Sequence, residues 1–194
     1  MTDDWLRIPR SRTFFGMLID LGADGAWGPE DMLTLMAGES SLVPTARNPS
    51  GAEGLTQLMG ATRKNLGWDE VAMGAFWKAD PGVQLGITAA YFKEWRRRMK
   101  VERWTSAGHL WACNLAPAYL GRDVLYSELD HPAQYRANRW LDHDGDRRIT
   151  RDELDLGLQR AVKACQARFD LAMASLAHVR AERAAGMCLE PSVV

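Results

Sequence analysis

The stretch from Glu39 to Met59 reads E-S-S-L-V-P-T-A-R-N-P-S-G-A-E-G-L-T-Q-L-M and holds the residues best suited to chemistry. The apolar residues Met32, Leu33, Leu35 and Met36 before it recur at three- and four-residue spacing, which predicts a helix. Pro29 suits the first helical position, and Glu30 and Asp31 suit the positive end. Glu39 then falls at the opposite, partly negative end. The helix dipole there disfavours a carboxylate, and burial against Leu42, Leu55 or Met59 disfavours it further. Both effects raise the pKa, as a general acid near neutral pH requires. The plainer alternative is a surface Glu before a Gly-rich turn, which explains neither the Gly51-Ala52 turn nor the amide of Gln57 among apolar neighbours.

The same residues resemble the soluble lytic transglycosylase family, a branch of the goose-type lysozyme-like fold. Glu39, Ser40, Pro44, Ala46, Gly51, Ala52, Gly54, Leu55, Gln57, Leu58 and Met59 match its signature without a gap. A later element, Trp111 to Pro117, matches the family's Tyr-Asn-Ala-Gly-Pro-like motif at Asn114 and Pro117. The resemblance implies a mainly α, lysozyme-like (α+β) fold, with a helical core and a small β-hairpin near the active site. It implies Glu39 as the single catalytic acid and base, with Ser40, Asn48, Gln57, Met59 and Asn114 binding substrate or positioning the acid. The implied reaction cleaves the β-1,4 bond between N-acetylmuramic acid and N-acetylglucosamine in peptidoglycan, leaving 1,6-anhydro-muramic ends. Two departures stand out. Cys113 occupies the place of the family's Tyr, whose hydroxyl helps hold the acid, and Asn48 occupies that of a Ser. A thiol is a poor donor, so Gln57, Tyr119 or Tyr126 is left to substitute, with Cys113 itself a small buried apolar residue.

A second constellation lies at 142–153, D-H-D-G-D-R-R-I-T-R-D-E. Asp142, Asp144 and Asp146 take positions one, three and five of an EF-hand-type calcium loop. Arg148 offers its carbonyl at seven, and Glu153 closes the loop at twelve. Oxygen-only ligands suit a hard cation. Arg147 stands where Gly usually makes the sharp turn, so a positive φ is expected there. A single such loop reads as a structural staple for one calcium ion. The alternative is a loop of Asp turns paired internally with Arg.

Several elements must hold these groups. Trp5 and Phe14 to Ile19 predict a short helix, with Gly22, Gly25 and Gly28 breaking the chain after it. Gly60 to Gly67 predicts another short helix. Asp80-Pro81 opens a longer one with Val83, Ile87, Ala90, Tyr91 and Trp95 on its apolar face, and Arg96 to Lys100 as a solvated end. Helices over about 106–115 and 132–141 follow. A long Ala-rich helix over 154–183 is expected to bury Leu156, Leu158, Val162, Cys165, Phe169, Ala172, Met173 and Leu176, with a frayed end at 186–194. We expect a catalytic core over 1–130 and a calcium loop with a C-terminal helix, 131–194, packed upon it.

The 194 residues are 46% hydrophobic and 25% charged, an ordinary globular composition. A net charge of −1 argues against nucleic acid or an anionic membrane as the main partner. The start of the chain, with Asp3 and Asp4, shows no secretory signal, and no stretch is long enough to span a bilayer. Cys113, Cys165 and Cys188 are scattered and suggest neither disulfides nor zinc. A wall substrate and a chain made in the cytoplasm together point to a bacteriophage endolysin or virion-borne lysin, with other virion proteins as further partners. A hydrolytic muramidase using Glu53 as second carboxylate, and an inactive calcium-stapled virion protein, are the competing functions.

Overall fold

The computed structural model describes residues 3–8 and 10–187. It is mainly helical with two small sheets, the architecture expected of a lysozyme-like fold. Cys188 and most of the expected frayed end lie outside the described residues.

α1 (Arg12–Gly25) is longer than expected, because two of the glycines read as breakers lie inside it. A Cβ on Gly22 or Gly25 would meet the Trp27 indole at 3.0 or 2.2 Å, so the glycines form a seat for that ring. The helix stops at left-handed Ala26. α2 (Pro29–Ser40) starts at Pro29, as expected, and buries Met32, Leu33, Leu35 and Met36. An antiparallel hairpin follows, β1 (Ala52–Glu53) with β2 (Leu58–Met59), in the register Ala52↔Met59 and Glu53↔Leu58. Short helices α3 (Gly60–Asn65) and α4 (Glu70–Met73) lead to α5 (Pro81–Met99), capped by the Asp80 carboxylate on the Gly82 amide at 2.7 Å.

The buried face of α5 differs from the expected one. Val83 and Ala90 are exposed, while Gln84, Leu85, Thr88, Ala89, Tyr91 and Phe92 are buried. Two polar residues, Gln84 and Thr88, sit on that inner face, and a pattern that counts only apolar positions misplaces the stripe. α6 (Ala107–Leu115) is the helix expected before Pro117.

β3 (Val124–Ser127) and α7 (Pro132–Asn138) follow, and β4 (Arg148–Thr150) pairs with β3 across a bulge. α8 (Arg151–Ala164) carries a capping box made by Thr150 and Glu153. The long C-terminal helix is in fact two. It breaks at Cys165 (φ −118°, ψ 28°), and α9 (Gln166–Ala184) continues from there. The buried stripe differs in part from the expected one: Leu156 is 45% exposed, while Leu154, Leu158, Cys165, Ala172, Leu176 and Val179 are buried in the core and Val162, Phe169 and Met173 pack partly buried against it. Salt bridges from Arg12 to Glu182 and from Arg183 to Asp20 tie α9 to α1. Residues of α8 and α9 share one hydrophobic core with α1, α2, α5 and α6.

α8 reaches α2 where Gly38 leaves room. A Cβ there would lie 2.3 Å from Leu158 Cδ2. Leu158 is 1% exposed. Leu158→Ala should therefore cost about 2–5 kcal/mol of global stability, read as a lowered urea midpoint in one cooperative transition. Separate transitions for the two halves, with the first unaffected, would refute a shared core.

Candidate active site

α2 ends abruptly. Ser41 and Leu42 both take positive φ (53° and 58°), and their amides close on the Ala37 and Met36 carbonyls. Non-glycine residues in this region cost of order 1 kcal/mol each, and here they turn the chain sharply just after Glu39. Ser40 does not reach outward. Its buried Oγ lies 2.9 Å from both the Met36 and Leu55 carbonyls, so the hydroxyl pins the arm to the helix end.

The arm from Pro44 to Met59 buries Leu55 and Leu58 in the core and is fixed further by polar contacts. Gln84 is its main anchor, accepting from the Leu55 amide at 2.9 Å and donating towards the Pro44 and Ala79 carbonyls at 3.1 Å. Thr56 Oγ1 meets Thr88 Oγ1 at 2.8 Å. Gly54 (φ +81°) is confined to glycine, because a Cβ would lie 2.5 Å from Gln84 Oε1. Gln57, at φ +50°, donates its amide to the Ala46 and Gly54 carbonyls at 3.2 and 2.9 Å. Asn48 closes the hairpin turn, its Oδ1 accepting from the Ala52 amide at 3.0 Å. Met59 stays 46% exposed at the hairpin's end. Glu53 is buried against arginines, 3.1 Å from Arg63 and 3.3 Å from Arg47, and Arg63 also donates to the Leu58 carbonyl.

Asn114 is the expected site residue that meets Glu39. Its Nδ2 donates to Glu39 Oε1 at 2.6 Å and to the Thr56 carbonyl at 3.0 Å, joining α6, α2 and the arm at one amide. The Trp111 side chain, one turn earlier on α6, also favours the charged form of Glu39. Burial is the largest influence on the Glu39 carboxyl and raises its pKa to about 7. Asn114 and Trp111 pull in the other direction. Asn114 also lines a cleft of about 480 Å³ with Thr62, Asn65, Tyr91, Trp95 and Pro117. A larger cleft of about 660 Å³, between Trp5, Phe14 and Val83, contains none of the expected site residues.

Gln84, Thr88, Tyr91 and Trp111 were missed in the sequence. Polar residues on a helix face that is otherwise apolar were the available signal for Gln84 and Thr88. Cys113 is fully buried, and the Tyr91 hydroxyl donates to its carbonyl at 3.1 Å. Tyr126 donates to the Leu115 carbonyl at 2.8 Å, and Tyr119 packs edge-on against Tyr126 and His131.

The Asp loop forms a separate cluster. Oxygens of Asp142, Asp144 and Asp146 lie within 4.8 Å of one another. Arg147 has the expected positive φ, 67°. It pairs with Glu128 at 3.2 Å, outside the loop. Arg148 lies in β4 opposite Ser127, and its amide donates to Asp146 at 2.8 Å. Glu153 Oε1 accepts from the His143 amide at 2.6 Å, so its carboxylate faces back onto the loop. Among the described residues no helix is long and apolar enough to cross a membrane.

A half-buried acid at a helix end, held by an amide beside a cleft, is thus the centre of the candidate site in a lysozyme-like fold. Residues 23–108 match the family model of the transglycosylase SLT domain, and over that stretch the chain is similar to this family. The match includes Glu39, the whole arm and Tyr91, and ends before Asn114 and the Asp loop. It supports peptidoglycan lytic transglycosylase activity at the level of the family. No curated protein and no solved structure matches the chain.

The raised pKa of Glu39 carries a sign that can be tested. The folded state holds this proton to about pH 7, and the unfolded chain releases it near 4.5. The associated stability is fully present below about pH 4.5 and is lost as pH rises through 7. Glu39→Gln should therefore be more stable than the native protein at pH 8, by about 1–3 kcal/mol, and equal to it below pH 4.5. Parallel denaturation curves at both pH values would contradict the burial argument.

Proposed function

We propose that the protein cleaves the β-1,4 bond between N-acetylmuramic acid and N-acetylglucosamine without water, with Glu39 as the single acid and base. The observation that carries this reading is the Glu39 carboxyl at the helix end, held by the Asn114 amide at 2.6 Å, with burial raising its pKa to about 7. Glu39 gives its proton to the glycosidic oxygen as the C1–O bond breaks. The resulting carboxylate then takes the proton of the muramic 6-hydroxyl, whose oxygen bonds to C1 and closes the anhydro ring. Every proton is accounted for by one residue. Asn114 stabilises the charged form when the proton leaves, and Met59 is an exposed contact for the glycan at the hairpin.

The state of the other carboxylates favours this over hydrolysis. Hydrolysis needs a second carboxylate as base or nucleophile. Glu53 is engaged by Arg47 and Arg63, and Glu94 at the cleft by Arg97 and Arg98. Glu39→Gln should fold and lose lysis of purified peptidoglycan by at least about 10²–10⁴-fold. Digests by the native protein should carry 1,6-anhydro ends, one water lighter than reducing ends. Dominant reducing ends would make it a muramidase, and a native protein inert on peptidoglycan would favour the non-catalytic virion reading.

We further propose that the loop at 142–153 takes one calcium ion as a staple. Asp142, Asp144, Asp146, the Arg148 carbonyl and Glu153 are all-oxygen donors suited to this ion. When bound, the ion would supply charge neutralisation among these carboxylates and fix β4 and the start of α8. Calcium should raise the melting temperature and chelator lower it, with Asp144→Ala removing the difference. Identical melting curves in calcium and in chelator would exclude the staple.

A further inference from the structure

The last turn of α6 is where the helix that presents Asn114 runs out of hydrogen-bond donors. The Ala116 amide closes on the Ala112 carbonyl at 2.8 Å. The next amide should serve Cys113, but residue 117 is proline and has none. The amide of Tyr119, four residues after Leu115, is used by Ala116 at 2.8 Å. The carbonyls on either side of Asn114 thus lack their helical partners. Both are satisfied by tyrosine hydroxyls from other elements. Tyr91 of α5 reaches Cys113 at 3.1 Å, and Tyr126 of β3 reaches Leu115 at 2.8 Å. Both tyrosines are 7% exposed.

We infer that Tyr91 and Tyr126 form a clamp that holds the end of α6 so that the Asn114 amide stays on Glu39, making both tyrosines positioning residues for the reaction. This rests on the reading of Glu39 as the acid. The geometry accounts for a site with a thiol at position 113, because the two hydroxyls act on the backbone beside Asn114. It also joins the active site to the Asp loop. Tyr126 pairs with Ile149 in the β3–β4 sheet, and β4 is part of the 142–153 loop. Its ring is held by an edge contact to Tyr119 and a tilted contact to His131, which phenylalanine would keep.

The test compares Tyr91→Phe, Tyr126→Phe and Asn114→Ala, singly and in pairs, on soluble uncrosslinked glycan strands. Each tyrosine variant should lower kcat by about tenfold or more with KM changed less than twofold, as a small misplacement of a catalytic group does. In the Asn114→Ala background the same changes should add less than a further twofold loss, because the clamp then has nothing to position. Losses that multiply fully in that background, or single variants within twofold of native kcat, would overturn the proposal. A second readout needs no activity. Hydrogen exchange of the Asn114 side-chain amide, followed by NMR, should accelerate at least about tenfold in either variant, as expected for loss of local protection. Unchanged exchange in both variants would equally overturn the clamp. Should the native protein leave glycan uncut, the proposed reaction fails and amide exchange alone decides the clamp.

Discussion

One half-buried carboxyl has to be shielded from water without being left loose, and the contact between Asn114 and Glu39 meets that constraint. Burial alone would leave Glu39 protonated but free to rotate. The 2.6 Å bond from Asn114 opposes the rise in pKa and fixes the direction of the oxygen. Because the same amide also donates to the Thr56 carbonyl, it sets the distance between α2, the arm and α6 together. Moving any one of these three elements moves the acid.

The arm beside Glu39 is anchored in the core by Leu55 and Leu58, but its backbone needs polar partners as well. Its shape depends on Gln84, Thr88 and Arg63, buried polar groups from α5 and α3 that satisfy its backbone. A buried polar network of this kind is rigid when complete and costly when broken. Positive φ angles at Ser41, Leu42 and Gln57 add strain at the same place. The surrounding core, from Phe15 and Leu18 through Met32 and Phe92 to Leu176, supplies the burial that offsets it.

The C-terminal helices belong to this arrangement as much as the matched family segment does. Glycines let α8 approach both helices of the site. Gly38 admits Leu158, Gly108 faces the Asp155 carboxylate, and Gly157 leaves room for the Trp111 ring at 3.2 Å. Gly108 also donates its amide to Asp155 at 2.9 Å, which caps α6 from α8. Asn114, on the same helix α6, holds Glu39, so α8 packs directly against the helix that reaches the acid.

Much of this was legible in the sequence because it depends on short spacing. The helix carrying Glu39, its start at Pro29, the Gly-Ala turn, the helix stopped before Pro117 and the positive φ of Arg147 all follow from local backbone rules. What local pattern could not decide is which polar groups face inward. Ser40, Asn48 and Gln57 were expected at the substrate, and the fold commits their hydrogen bonds to backbone atoms of the turn and arm. Gln84, which the apolar pattern passes over, and Tyr91, read as part of the apolar face, became anchors of the arm and of α6. The break at Cys165 was equally hidden, since helix propensity on both sides is high. Hydrogen-bond partners separated by tens of residues are chosen only when the chain is closed, and that choice made the acid site.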